Sequence, residues 1–535
     1  MGISRRAFLA QASALGAVAS VGFNVNIAQA QQSDTITIAL AARAPNGVNP
    51  QQTGLTGGDN WAIHQVFNTL VKADPGTFAT TPEEFRPSLA ESWESSDDAR
   101  TWTYHLRRGV EFHGGYGEMT AADVLFTFGR QLDPSIVTNG KVLYQNIQGV
   151  EAPDDYTVVF TLERPDPLFN GSCIATLPAN IISRAAFEER GDEFNHSPVG
   201  TGPYEVVDFS TDGIVLQAFE DHFDGIAATP NLRIAFIADT TARTLAFASG
   251  EVDMIEGVRS PGWIPQMQQR SADTIFDATA PGSFNSLHLN LTQAPLDDLR
   301  VRQAIRYAIN NEQIAAAYGE LATPMVGVIA SQFPGSVSKE SLPENLRYEH
   351  NIERARELLA EAGYPDGVMI SAFTSQREDY ASIMLIVQEQ LRAAGIELDL
   401  QIIDHSTFHA DNRSARNAMP LQSSSYPPVP TQPLLQWLSA SAVVQPDGTG
   451  QNNFSHYGVA IDGVDDLLEQ VQDEPDFERR IALVEEIEQK VLTDLPLLGI
   501  ITLSYVIARN PRIDLGFEVQ SGYAYWPLNQ ARVVS

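Results

Sequence analysis

Two histidines four residues apart, His405 and His409, stand beside Asp404 and Asp411. On a helix this spacing puts both imidazoles on one face, where they could hold a metal and serve a metal-dependent hydrolase or a metal or metallophore carrier. In a polar loop after the strand-like run Ile396–Ile402 the same residues are simply solvated. The pattern supplies no third fixed ligand, so the loop reading stands first and no metal is expected. Gly200 and Gly202 form a G-x-G, but Pro203-Tyr204 cannot begin the phosphate-binding helix, and a tight turn is expected instead. The chain contains no G-x-x-x-x-G-K-S/T, no G-x-S-x-G and no H-E-x-x-H. Cys173 is the single cysteine, so no intrachain disulfide can form. The acids are too many for any pair to stand out as a catalytic dyad. Neither an enzyme nor a cofactor is expected.

The elements that position these residues need a large fold. A chain of 535 residues with 43% apolar residues should bury more than one core. Its net charge of -33 repels nucleic acid and anionic lipid. Solubility explains that charge, and attraction of cationic solutes is a second reading. Ser4-Arg5-Arg6-Ala7-Phe8-Leu9 resembles a twin-arginine export motif. A mild apolar run to Phe23 and Ala28-Gln29-Ala30 follow it, so a signal peptide over residues 1–30 is expected, with cleavage after Ala30 and a periplasmic destination.

Further on, Trp102, Tyr104 and Leu106 alternate with Thr101, Thr103 and His105, as in a half-buried strand. Thr120 with Asp123 predicts a capped helix toward Gln131. From about residue 297 the pattern becomes helix then strand. Asp297 or Asp298, Asn351 and Asp476 cap helices, a further helix runs from Asp379 to Ala394, and Ile396–Ile402 and Leu497–Ile501 follow as strands. Pro45–Asn60, Ser423–Pro433 and Val443–Asn453 have loop composition.

Several ordered motifs are similar to those of one family. They are Pro87-Ser88-Leu89-Ala90-Glu91-Ser92-Trp93, then Trp102 to His113 with Arg107-Arg108-Gly109-Val110-Glu111-Phe112-His113, then Val199-Gly200-Thr201-Gly202-Pro203-Tyr204, Ser249-Gly250-Glu251-Val252-Asp253 and Leu358-Leu359-Ala360-Glu361-Ala362-Gly363-Tyr364-Pro365. From about Thr35 onward the chain resembles the extracellular solute-binding proteins of peptide/nickel ABC importers. The resemblance implies an α/β, two-lobed clamshell of the large three-domain type, with mixed β-sheets, flanking helices and an extra inserted domain. Lobe I is expected from 34–55, 186–280 and 505–535, the extra domain from 56–185 and lobe II from 281–504. It also implies a monomer that captures a peptide-like or other small polar solute and delivers it to permease subunits in the inner membrane.

Cleft residues are expected among aromatic and amide side chains near the lobe junction. Asn290, Ser424, Tyr426, Trp437, Asn453 and Tyr457 are the candidates. Trp437 also suits a core, and Asn290 and Asn453 also suit turns. Peptide-binding members place an aspartate where this chain has Ser423-Ser424-Ser425-Tyr426-Pro427-Pro428, which carries no acid. A neutral, hydrogen-bonding solute is therefore expected rather than a free-amine peptide, although Asp404 or Asp411 could supply a charge from nearby.

Overall fold

The structure, a computed structural model, describes residues 34–447, 449–523 and 525–534. The export motif and its cleavage site lie outside the described residues.

A mixed sheet of ten strands organises the molecule. Along its main path the order is Leu421–Ser424, Ile275–His288, Leu497–Arg509, Met254–Glu256, Thr35–Leu40, Asn231–Phe236, Gly213–Ala218 and Tyr204–Ser210. Thr35–Leu40 pairs in parallel with Asn231–Phe236, and the two long strands Ile275–His288 and Leu497–Arg509 pair antiparallel. Their ladder is interrupted where Ala280, Pro281 and Gly282 stand opposite Ser504. Extra residues on one strand bend it and sharpen its twist. Gly282 is required there: its φ is +68°, and a Cβ would meet the Leu503 carbonyl at 2.1 Å.

A separate four-stranded antiparallel sheet is built from Ala90–Ser95, Thr101–Leu106, Thr157–Leu162 and Ile147–Asp154. Its inward residues Trp102, Tyr104 and Leu106 are buried, as their alternation requires. Tyr104 donates its hydroxyl to Asn170 at 2.7 Å, which satisfies the one polar atom that this ring carries inside. This sheet shares a single hydrophobic core with Ile36, Ile38, Ile214 and Ile234 of the large sheet. Two further cores hold the later helix–strand units, one around Leu359, Ile383 and Leu398, the other around Phe284, Trp437 and Val484.

Thr120 caps the helix Ala121–Leu132, with Asp123 closing the box. Asp298, Asn351 and Asp476 accept the predicted capping bonds. The loop expected over 45–60 ends early, because the helix Gly57–Val66 starts inside it. The loop expected over 423–433 is likewise trimmed by the strand Leu421–Ser424 and the helix Thr431–Leu438. The loop reading of His405 and His409 is corrected. Asp404 accepts from Ser406 N and Thr407 N and starts the helix His405–Arg413.

Candidate functional site

The helix Gly57–Val66 anchors the site. Asp59 binds Thr56 N and Asn46 N at 2.7 and 2.8 Å, which fixes the helix start and the loop before it. At the other end the V-G-T-G-P-Y turn presses on the backbone. A Cβ on Gly200 would meet the Val66 carbonyl at 2.1 Å, and one on Gly202 the Gln65 carbonyl at 2.4 Å. The turn therefore needs glycine for close approach rather than for a phosphate. Gln65 then binds the C-terminal segment twice, donating to the Trp526 carbonyl at 2.9 Å and accepting from Leu528 N at 2.8 Å. Trp61 meets the Trp526 ring at 5.1 Å.

These bonds hold His64, Tyr523 and Tyr525 along one wall of a cavity of about 430 Å³. The Tyr523 and Tyr525 rings are stacked 5.5 Å apart, and His64 meets Tyr525 at 5.6 Å. Phe78 packs edge-on to Tyr523 at 4.9 Å and to Phe333 at 6.3 Å, so one ring joins the C-terminal segment to the third core. Phe78 N donates to Ser521 Oγ at 2.8 Å, which fixes that loop against the C-terminal segment. Pro427 and Pro428, which follow Tyr426 of the third core, also line the cavity. Burial lowers the His64 pKa to about 4, so the ring is neutral at ordinary pH, and burial raises both tyrosine hydroxyls. The ion pair on the wall is Lys72 with Asp224, 3.3 Å apart and largely exposed.

A charged network adjoins this wall through Tyr505. Ser425 Oγ and Tyr505 OH are hydrogen-bonded at 2.7 Å, and the Arg259 guanidinium lies 4.7 Å over the Tyr505 ring. Arg259 and Arg377 share the carboxylate of Asp379, at 3.2 and 2.8 Å. Two cations on one buried acid leave a net positive charge, which suits an anionic group. Ser375 Oγ bonds His405 Nδ1 at 2.8 Å, and His405 and His409 stand 4.5 Å apart. Among the described residues no group of three His, Cys, Asp or Glu side chains could hold a metal.

None of the six candidate ligand residues lines the cavity. Ser424, Tyr426 and Trp437 gather around Phe284, with Tyr426 and Trp437 5.3 Å apart and Ser424 paired to Phe284 across the strands. Tyr426 donates to Gln436 at 3.2 Å, and Ser424 Oγ accepts from Gln422 at 2.8 Å. Asn290, Asn453 and Tyr457 form a second, internal set. Asn290 accepts from Thr292, Asn453 donates to the Ser439 and Tyr457 carbonyls, and Tyr457 donates to Asp494. Asn290, Tyr426, Trp437, Asn453 and Tyr457 are buried, and Ser424 is partly exposed. His64, Phe78, Tyr523 and Tyr525 were not singled out from sequence. The alternation Tyr523-x-Tyr525 ahead of Trp526-Pro527 was the available signal.

Residues 84–444 match the model for bacterial extracellular solute-binding proteins, family 5. Heme-binding protein A of Haemophilus influenzae is 30% identical over 370 residues, covering 63% of this chain and 63% of that protein. The glutathione-binding protein GsiB of Escherichia coli is 32% identical over 321 residues, covering 59% of this chain and 60% of that protein. The matches thus span about three fifths of the length of these curated relatives. The solved structure of MoaA of A. tumefaciens R10 in complex with mannopinic acid is 30% identical, with a TM-score of 0.76, covering 94% of this chain and 100% of that one.

Proposed function

Because the chain belongs to the bacterial extracellular solute-binding proteins of family 5, we propose that it captures a small solute between two lobes and delivers it to the permease of an ABC importer. The family is one of binding proteins rather than enzymes. The cavity of about 430 Å³ carries the proposal: its lining includes Phe67, Phe85 and Trp526 of the first core, together with Pro427 and Pro428, which follow Tyr426 of the third. A cavity of this size suits a small ligand enclosed on most sides. A relative named for glutathione and a solved structure in complex with mannopinic acid agree with a small polar solute as cargo.

The lobes are 34–55, 186–280 and 505–535 for lobe I with 56–185 as its extra domain, and 281–504 for lobe II. The strand break at Ala280–Gly282 opposite Ser504 supports a hinge at those boundaries. Solute released by denaturing the purified protein should be a single intact small molecule by mass spectrometry. Steady conversion of that molecule by the native protein would move it to the enzymes.

Export follows the twin-arginine route to the periplasm. Among the described residues no helix is long and apolar enough to cross a membrane. Replacing Arg5 and Arg6 together by lysine should abolish appearance in the periplasm and leave precursor in the cytoplasm. Unchanged export on fractionation and immunoblotting would refute the route.

A further inference from the structure

We propose that the buried end of the solute is an uncharged ring, seated against Tyr523, Tyr525 and His64; this rests on the capture reading above. All three side chains line the cavity and keep part of their surface open, although protein surrounds them. The Tyr523 and Tyr525 rings lie 10° from parallel and stack on one another, so a solute ring can meet their edges or continue the stack. Their hydroxyls act on no hydrogen-bond partner among the described residues, and the causes acting on them are burial and neighbouring tyrosines. The wall thus offers flat faces, two hydroxyls and a neutral imidazole.

Among the described residues that line the cavity, no unpaired charge accompanies them. Lys72 and Asp224 already neutralise each other toward the exposed side. A cation brought to the tyrosines would lose its hydration without gaining a carboxylate, which cation–π attraction only partly offsets. A flexible chain without a ring would leave the stacked faces in poor contact and would lose more rotamer freedom on binding. A ring with a flat apolar face and a hydroxyl or amide edge matches both the faces and the hydrogen-bonding groups. An aromatic ring and a pyranose share that chemistry. Arg259 packs over the Tyr505 ring and shares Asp379 with Arg377, so a negative group elsewhere on the solute is compatible with this placement.

The test is calorimetry on the chain from Gln31 onward, stripped of solute, with four probes. N-acetyltryptophanamide and methyl glucoside are the neutral rings, aromatic and pyranose. Tryptamine is the cationic ring, and N-acetylleucinamide is neutral and ringless. One neutral ring should bind at least tenfold more tightly than both controls, and which one wins identifies the source of the ring. Tyr523→Leu should erase that preference. Equal or tighter binding of tryptamine or N-acetylleucinamide would overturn the proposal, as would a preference that survives Tyr523→Leu. Absence of binding by every probe, while the co-purified solute still compacts the protein, overturns the ring and leaves capture standing. No compaction with any solute would instead defeat the capture reading.

Discussion

Replacing Arg480 by methionine is expected to weaken solute binding roughly a hundredfold, the equivalent of about 3 kcal/mol. Arg480 sits on the helix Phe477–Asp494 and is almost fully buried. It reaches out of the third core's side to Asp166 at 3.4 Å and to the Pro165 carbonyl at 2.8 Å. Its remaining N–H groups donate to the Gln472 and Glu474 carbonyls, so the guanidinium is held in place from its own side. If the two lobes part around the strand break, this contact exists only in the closed form. Methionine would leave Asp166 buried and facing no cation on closure. The loss sits at the low end of the range for a broken buried pair, because Leu168 N and Ser172 Oγ still bind Asp166. The neighbouring pair Arg164–Asp473, with both partners about half exposed, should contribute little. Asp166→Asn in the Arg480→Met background should recover part of the affinity in a double-mutant cycle. An unchanged dissociation constant for Arg480→Met would show that the contact does not form on closure.

Glu488 carries the second large effect, this time on folding. It is fully buried, and burial raises its pKa to about 8 although Val328 N and Ile329 N donate to it at 3.0 and 3.1 Å. Gly327 packs against it so closely that a Cβ would meet Glu488 Oε2 at 1.6 Å. An acid whose folded pKa lies above its unfolded value near 4.5 favours folding in its neutral form. The site therefore costs nothing below about pH 4.5. It becomes progressively unfavourable between about pH 4.5 and 8, and its cost is constant above that. The full penalty is on the order of 3–5 kcal/mol, from the size of the shift. Glu488→Gln, neutral at every pH, should be more stable than the parent at pH 9 by that order and nearly equal to it at pH 4.5. Urea unfolding at the two pH values reads the difference. An equal offset at both would show that burial does not hold this carboxyl protonated.

Local signals in the sequence were faithful where one physical rule dominates. Thr120, Asp298, Asn351 and Asp476 are cap residues in the structure because a short polar side chain is the cheapest partner for the first free N–H groups of a helix. The alternation of Trp102, Tyr104 and Leu106 gave a strand because only one face of that sheet meets a core. The site was less legible. Trp437 and Tyr457 have the composition of ligand contacts and are fully buried in the structure, and composition alone does not tell a buried aromatic from one that faces a cavity. Tyr523 and Tyr525 reach the cavity only because Gln65, some 460 positions earlier, pins Trp526 and Leu528, and no local pattern encodes that pairing. The polar segment after Ile396–Ile402 reads as a loop around His405 and His409, but the Asp404 cap is enough to start a helix there.

The most direct test of capture by closure is small-angle X-ray scattering on the same preparation, stripped of its co-purified solute and then reloaded with it. Two lobes hinged where Ala280–Gly282 faces Ser504 should give a smaller radius of gyration in the loaded form, reversible on stripping. Identical scattering curves for the stripped and saturated protein would contradict it.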